Sequence, residues 1–136
     1  MATPWHLWVV AILTLIWNIA GAVTIVMAQM GSRLDMDPNE VAYYASQPLW
    51  FVIATDLAVF LPIAGAVALL LRHRSAAWLF ALSVLTVVLT NAYDVGAGTS
   101  LALADQGWRN VTAAVVAIAM LQFAYAWSVK TRGVLN

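Results

Sequence analysis

Five polar side chains in or beside the long apolar runs of this sequence are its candidates for chemistry. Asp56 lies near the middle of one run, where an ionisable group is costly and is a functional candidate by default. Counted at about 1.5 Å per residue, Asn18 reaches a similar depth in another run. Asn91 and Asp94 are one helical turn apart in a third, and Arg109 begins a fourth. Together they predict a polar cavity in the outer half of a helical bundle.

Three interpretations of this polar cluster stay open. Asn18, Asp56 and Asn91 fit interhelical hydrogen bonds that fix the register of the helices, each worth about 1 kcal/mol. They also fit an outward-opening cavity that binds a solute, a proton or a lipid headgroup. The third interpretation is a docking surface for another membrane subunit. Asn18 is level with Asp56, and Arg109 is placed to pair with Asp94.

Pro62 lies in the same apolar run as Asp56. A proline within a helix lacks the N–H that would bond to the carbonyl four residues earlier, so the carbonyl of Ala58 is left free. The same missing bond predicts a kink one turn further inside than Asp56. Such a bend would widen the bundle beside the acid.

The residue types argue against an enzyme and against bound cofactors. The chain has no cysteine, which removes disulfides, thiolate metal sites and cysteine nucleophiles. No zinc motif, phosphate-binding loop or pair of nucleophile and base is present. His6 and His73 lie at one interface rather than within facing helices, so we expect solvated side chains and no haem. A net charge of zero gives no reason to expect a nucleic acid partner.

The elements that must hold these residues are membrane-spanning helices. The chain is 64% hydrophobic and 9% charged, whereas a soluble domain has about a quarter of its residues charged. Apolar runs of about 20 residues each cross a bilayer as helices, because lipid cannot satisfy backbone amides. We therefore predict an all-α membrane protein, a single domain over residues 1–136 that forms an antiparallel bundle of four helices. The predicted spans are about 6–28, 49–71, 76–95 and 109–129.

The basic residues predict the orientation of the bundle. Two of them lie between spans two and three and two follow span four, while the opposite face has only Arg33 and Arg109. An excess of Lys and Arg marks the cytoplasmic side, so we expect both termini in the cytoplasm of a bacterial inner membrane. Six of the seven tryptophans fall at predicted span ends, where indole rings favour the headgroup level. The four basic residues of the inner face are Arg72, Arg74, Lys130 and Arg132.

Short elements are predicted in the two outer loops. Asp37, Pro38 and Glu40 have the spacing of a helix start, which predicts a periplasmic helix from Pro38 to about Ser46. This helix is either a connector against the bundle or a lid over the cavity, with Val41, Tyr44 and Ala45 on one face. In the other loop, Thr99 or Ser100 caps a short turn through Ala104, and Gly107 interrupts the chain before Trp108.

Parts of the first two spans resemble a known family. The resembling segments are His6-Leu7-Trp8-Val9-Val10, Leu15-Ile16-Trp17-Asn18 with Gly21-Ala22, the stretch from Tyr43-Tyr44 to Pro48 and Trp50, and Leu69-Leu70-Leu71-Arg72. They are similar to a family of small four-helix proteobacterial inner-membrane proteins that are often labelled sugar transporters. The resemblance implies four helices and an inner-membrane location, and it implies no substrate or catalytic residue.

Two functions are consistent with the sequence. The first is a non-enzymatic accessory or assembly subunit that associates with a larger membrane complex or with copies of itself, since the chain has no soluble domain and no catalytic motif. The second is a small oligomeric transporter or solute-binding protein that uses an outward-facing polar cavity around Asp56. The lipid bilayer is an expected partner in both.

Overall fold

The computed structural model describes residues 2–136, with Ala104 as backbone only, and the regular secondary structure of this part of the chain consists of helices. Four long helices are sufficiently long and apolar to cross a membrane, which confirms the predicted number of spans. They are α1 (Trp5–Gln29), α3 (Leu49–Leu70), α4 (Ser75–Ala97) and α6 (Gln106–Thr131). Two short helices, α2 (Pro38–Ala45) and α5 (Leu101–Ala104), lie in the loops that follow α1 and α4.

The long helices pack in the order α1, α3, α4, α6. Helix α3 packs against both α1 and α4, and α4 packs against α6. Helix α6 is the most peripheral, since only 11% of its most apolar stretch is buried, against 39% for α3. Helices α1 and α6 therefore stand at the two ends of the series, and the space between them is available for a cavity.

One end of the bundle is tightly packed, and we call it the base: residues 71–74 between α3 and α4, residues 132–136, and the helix ends beside them. Most of the buried apolar residues form one cluster here, including Leu7, Leu69 and Phe80. The ring of Phe80 lies where a Cβ on Gly65 would be 3.1 Å from it. A residue larger than glycine at this position would displace the ring, so Gly65 permits the close packing of α3 and α4.

The last residues of the sequence close the base. Leu135 is 2% exposed, and the amide of Asn136 donates to the carbonyl of Arg72 at 2.7 Å. The Arg74 amide in turn donates to the carbonyl of Asn136 at 3.0 Å. Across the bundle, the His6 Nδ1 lies 2.7 Å from the Tyr125 hydroxyl and joins α1 to α6. All four long helices are therefore connected at this end.

The opposite end, which we call the mouth, consists of residues 30–48 and 98–107. Helix α2 has the predicted capping box, in which the Glu40 amide donates to Asp37 at 2.9 Å and the Asp37 amide donates to Glu40 at 3.0 Å. Ser100 caps α5, as the sequence predicts. The expected interruption at Gly107 is wrong, because Gly107 lies inside α6.

The start of α6 explains this difference. The Asp105 carboxylate caps the helix by accepting from the Trp108 amide at 3.0 Å. A Cβ on Gly107 would lie 2.8 Å from an oxygen of that carboxylate. Glycine at this position therefore leaves room for the cap, and it does not break the chain.

Helix α3 continues through Pro62, and the freed carbonyl predicted at Ala58 has a partner. The Ser83 hydroxyl of α4 donates to the Ala58 oxygen at 3.2 Å. Since lipid offers no donor to an orphan carbonyl, this bond satisfies the group that the proline leaves free. The defect in α3 thus becomes a contact between α3 and α4.

Candidate functional site

A cavity of about 780 Å³ lies among the long helices and reaches the mouth. Its wall on α6 runs from Gly107 to Ala119, a depth of about 18 Å at the helical rise per residue. That is roughly half of a hydrocarbon core about 30 Å thick. All six helices contribute to the wall.

The cavity wall is mostly apolar and carries polar side chains on both sides. Trp17, Val59, Val111 and Val115 are among its apolar members. Asn18 and Thr24 lie on the α1 side, facing the α4 residues across the space. The α4 residues are Ser83, Thr90, Asn91 and Asp94.

Three of the five predicted site residues lie together in this wall: Asn18, Asn91 and Asp94. The Asn18 amide nitrogen donates to the Thr14 carbonyl at 2.7 Å, and that of Asn91 donates to the Val87 carbonyl at 2.8 Å. Each amide is thus bonded to its own helix one turn earlier and does not join two helices. This geometry differs from the interhelical hydrogen bonds that formed one of our interpretations.

Asp94 lies in the last turn of α4, directly below the mouth. It accepts hydrogen bonds from the Tyr43 hydroxyl of α2 and, at 3.1 Å, from the Thr99 hydroxyl. Burial, followed by the hydrogen bond to Asp94, raises the pKa of the Tyr43 phenol far above its ordinary value. Tyr43 therefore remains protonated at neutral pH and holds α2 against the end of α4.

Asp56 and Arg109 are not part of the cavity wall, unlike the other predicted residues. Thr55 lines the cavity instead, and successive helical residues are about 100° apart, which turns Asp56 away from it. One carboxylate oxygen of Asp56 is buried without a hydrogen-bond partner among the described residues. The side chain of Asn18 bonds to Thr14 and not to Asp56, so the expected meeting of the two is wrong.

Arg109 is exposed in the first turn of α6, and the expected ion pair with Asp94 does not form in residues 2–136. The reason is position: Arg109 is exposed and lies outside the cavity wall, whereas Asp94 lines the cavity and accepts from uncharged hydroxyls. Arg33 is the basic residue that reaches the cavity wall. It pairs with Asp35 at 2.9 Å and with Glu40 at 3.8 Å.

Among the wall residues that the sequence reasoning did not name as candidates are Arg33, Tyr43 and Thr55. The face of α2 was assigned to Val41, Tyr44 and Ala45. Tyr44 does line the cavity, whereas Val41 is 52% exposed and Ala45 is also exposed. A signal for Thr55 was present in its spacing from Ala58 and Pro62, which places all three on one face of α3 and in the wall. No comparable signal distinguishes the adjacent tyrosines of α2.

The remaining candidates lie outside the cavity. His73 is exposed at the base, where its Nδ1 is 2.8 Å from the Ser75 hydroxyl, whereas His6 contacts Tyr125 rather than solvent alone. Among the described residues, no group of three or more His, Asp or Glu side chains is arranged to hold a metal ion.

The four long apolar helices define the class to which this chain belongs: it is a multi-pass membrane protein. Comparison of the chain with protein-family models, with curated proteins and with solved structures gives no match. Any more specific function must therefore be argued from the cavity and its residues.

Proposed function

We propose that this protein is a non-enzymatic membrane protein that binds a small molecule in the cavity below its mouth. The observation that carries the proposal is the cavity itself, about 780 Å³ in volume, which lies within the range of about 300–1,000 Å³ typical of small-molecule sites. Its wall combines apolar surface with a few polar groups, as such sites do.

The proposal includes an orientation. The base carries Arg72, Arg74, Lys130 and Arg132, and the excess of basic residues there favours a cytoplasmic base in a bacterial inner membrane. In the corresponding antiparallel bundle, α2 and the cavity mouth face the periplasm. The cation–π contacts of Lys130 with Trp78 and Trp127, at 4.5 and 4.7 Å, support an interfacial position for the base. Family membership inferred from the resembling segments stays a prediction.

The closed base favours binding over conduction. A solute that crosses the membrane would have to pass the Leu7, Leu69 and Phe80 cluster, and the contact between His6 and Tyr125 lies at the same end. Transport would therefore require these contacts to open, and four helices are few for a transporter that acts alone. An accessory role in a larger membrane complex, or in a homo-oligomer, is compatible with a bound ligand and stays a prediction.

Glycine 21 offers a direct test of the cavity. Gly21 lines the cavity, and a Cβ built on it meets no atom within 4 Å, so we expect Gly21→Leu to occupy part of the cavity. Gly96→Leu is the matched control, because a Cβ at Gly96 also meets nothing and Gly96 is not in the wall. The protein is placed in nanodiscs with uncharged dodecanol, and native mass spectrometry counts the bound molecules.

The expected result is that the unaltered protein and Gly96→Leu retain dodecanol or a displaceable endogenous small molecule, while Gly21→Leu retains neither. Equal retention by all three proteins would overturn the cavity as a binding site. The same spectra report associated proteins. A heteromeric partner seen together with a cavity that binds nothing would favour the accessory role over the binding role.

A further inference from the structure

Several polar groups of the cavity wall present acceptors to the space. Thr24 donates to the Ala20 carbonyl at 2.9 Å, and Thr90 donates to the Thr86 carbonyl at 2.9 Å. Ser83 likewise donates to a backbone carbonyl, that of Ala58. Each hydroxyl therefore has its single hydrogen engaged and offers only acceptor lone pairs to the cavity.

The two asparagines also present hydrogen-bond acceptors to the cavity. Asn18 and Asn91 each direct the amide nitrogen at a backbone carbonyl of their own helix, and a carbonyl can only accept. The amide oxygen of each side chain, which is an acceptor with two lone pairs, lies on the other branch of the amide and has no protein donor within the described residues. An occupant of this cavity is consequently offered acceptors on both the α1 side and the α4 side.

The charge near the mouth also favours a ligand that donates hydrogen bonds. Asp94 lies in the last turn of α4, where the helix dipole is already negative and where the helix has no basic residue. The charge of Arg33, which also reaches the wall, is neutralised by Asp35 and Glu40. The two donors to Asp94, Tyr43 and Thr99, are uncharged, so the carboxylate has no cationic partner among the described residues.

An apolar part of the cavity lies between α1 and α6. These helices meet at the base through His6 and Tyr125, and toward the mouth they form opposite sides of the cavity, at Trp17 and Ile25 on α1 and at Val111 and Val115 on α6. A ligand that fits has an apolar portion for this space and a polar portion that reaches Asp94.

We propose that the ligand is an amphiphile with an ammonium head, which binds Asp94 and the Asn91 amide oxygen while its apolar chain lies between α1 and α6. An ammonium group has three donors and no acceptor, which complements the Asn91 amide oxygen and a carboxylate that has no cationic partner among the described residues. This inference rests on the proposed function, because it assigns the ligand class of the same cavity. A free alkylamine and an ethanolamine phospholipid share this head.

The test compares amphiphiles that differ only in the head. The full-length protein in nanodiscs is incubated with dodecylammonium, dodecanol or dodecyl sulfate, and native mass spectrometry measures the retained fraction of each. In a second arm no amine is added, and nanodiscs of phosphatidylglycerol are compared with nanodiscs of phosphatidylethanolamine. We expect dodecylammonium to bind about tenfold more tightly than dodecyl sulfate, because the Asp94 carboxylate attracts the first head and repels the second.

The variants separate the charge of Asp94 from its structural role. Asp94→Asn keeps an acceptor for Tyr43 and removes the negative charge, so the preference for ammonium over dodecanol should disappear while dodecanol binding persists. Tyr43→Phe breaks the same contact and keeps the carboxylate, so the preference should remain. The conformation of each variant is checked by its circular dichroism and its melting temperature.

The outcomes distinguish this inference from the proposal on which it rests. Preferential retention of dodecylammonium, or of phosphatidylethanolamine in the lipid arm, that is lost in Asp94→Asn supports an ammonium ligand and identifies its source. If the three heads bind equally and Gly21→Leu abolishes all of them, the cavity is a binding site and the ammonium inference is overturned. If Gly21→Leu changes no binding, both fail.

Discussion

At the scale of single residues, the contact of Tyr43 with Asp94 links the helix over the mouth to the wall of the cavity. Replacing Tyr43 by Phe removes a hydrogen bond to a carboxylate, which is worth about 1.5–3 kcal/mol when the partner is charged. We expect Tyr43→Phe to lower the free energy of unfolding by that amount, measured by chemical unfolding in detergent. Tyr44→Phe is the matched control, because the Tyr44 hydroxyl has no partner within residues 2–136, and it should change stability little.

The same tyrosine predicts a pH dependence. Burial and the bond to Asp94 raise the pKa of Tyr43 in the folded protein, while an unfolded tyrosine titrates near pH 10. The unfolded state therefore loses its proton first, and the contribution of Tyr43 to stability, complete below about pH 10, declines as the pH rises further. The stability difference between the unaltered protein and Tyr43→Phe should shrink above about pH 10. A difference that grows with pH would contradict this sign.

Some of the residues that line the cavity could be predicted from the sequence. Asn18, Asn91 and Asp94 stood out because polar groups are rare in apolar helices, and all three lie in the wall. Asp56 stood out for the same reason and lies outside the wall, because polarity gives the depth of a residue and not the direction in which it faces. The direction depends on how α1 and α4 divide the surface of α3, which is a property of packing.

At the scale of elements, Pro62 leaves the Ala58 carbonyl of α3 without its helical donor, and Ser83 of α4 supplies a replacement hydrogen bond. Ser83→Ala removes the donor to the Ala58 carbonyl and should cost about 0.6 kcal/mol, a typical value for a hydrogen bond between membrane helices. In a Pro62→Ala background the backbone N–H of residue 62 is available to that carbonyl, so the loss of Ser83 should cost less. Unfolding free energies of the four proteins in a double-mutant cycle measure the difference. Additive costs would contradict the compensation.

The last residues of the sequence act as a packing element of the base. Leu135 is 2% exposed, so Leu135→Ala should reduce the free energy of unfolding by about 2–5 kcal/mol, as buried Leu→Ala changes do. Leu34 at the mouth is 103% exposed, and Leu34→Ala is the control that should leave stability unchanged. Equal melting temperatures for both variants would show that the tail does not seal the base.

The helices themselves were the most predictable feature of the chain. Runs of about 20 apolar residues can cross lipid only as helices. The start of α2 was predictable from the capping residues Asp37, Pro38 and Glu40. Gly107 was misread because a glycine before a helix usually marks an interruption, whereas here it makes room for the Asp105 cap. The cap depends on the conformation of three successive residues, which composition does not reveal.

At the scale of the whole molecule, the two ends of the bundle differ. The base joins α1, α3, α4 and α6 through buried apolar residues and the last residues of the sequence. Toward the mouth, the same helices line the cavity, and α2 and α5 contribute to its upper wall. Our central proposal, a ligand site that is open to one side of the membrane, rests on this asymmetry.

Reaction of single cysteines with a membrane-impermeant thiol reagent tests this proposal most directly, since the chain has no cysteine of its own. Added to intact cells, the reagent should label Ser32→Cys at the mouth and Thr112→Cys in the cavity wall. It should spare Val23→Cys, which is exposed outside the cavity, and His73→Cys at the base. If Ser32→Cys reacts and Thr112→Cys does not, the water-accessible cavity is contradicted; if only His73→Cys reacts, the orientation is reversed.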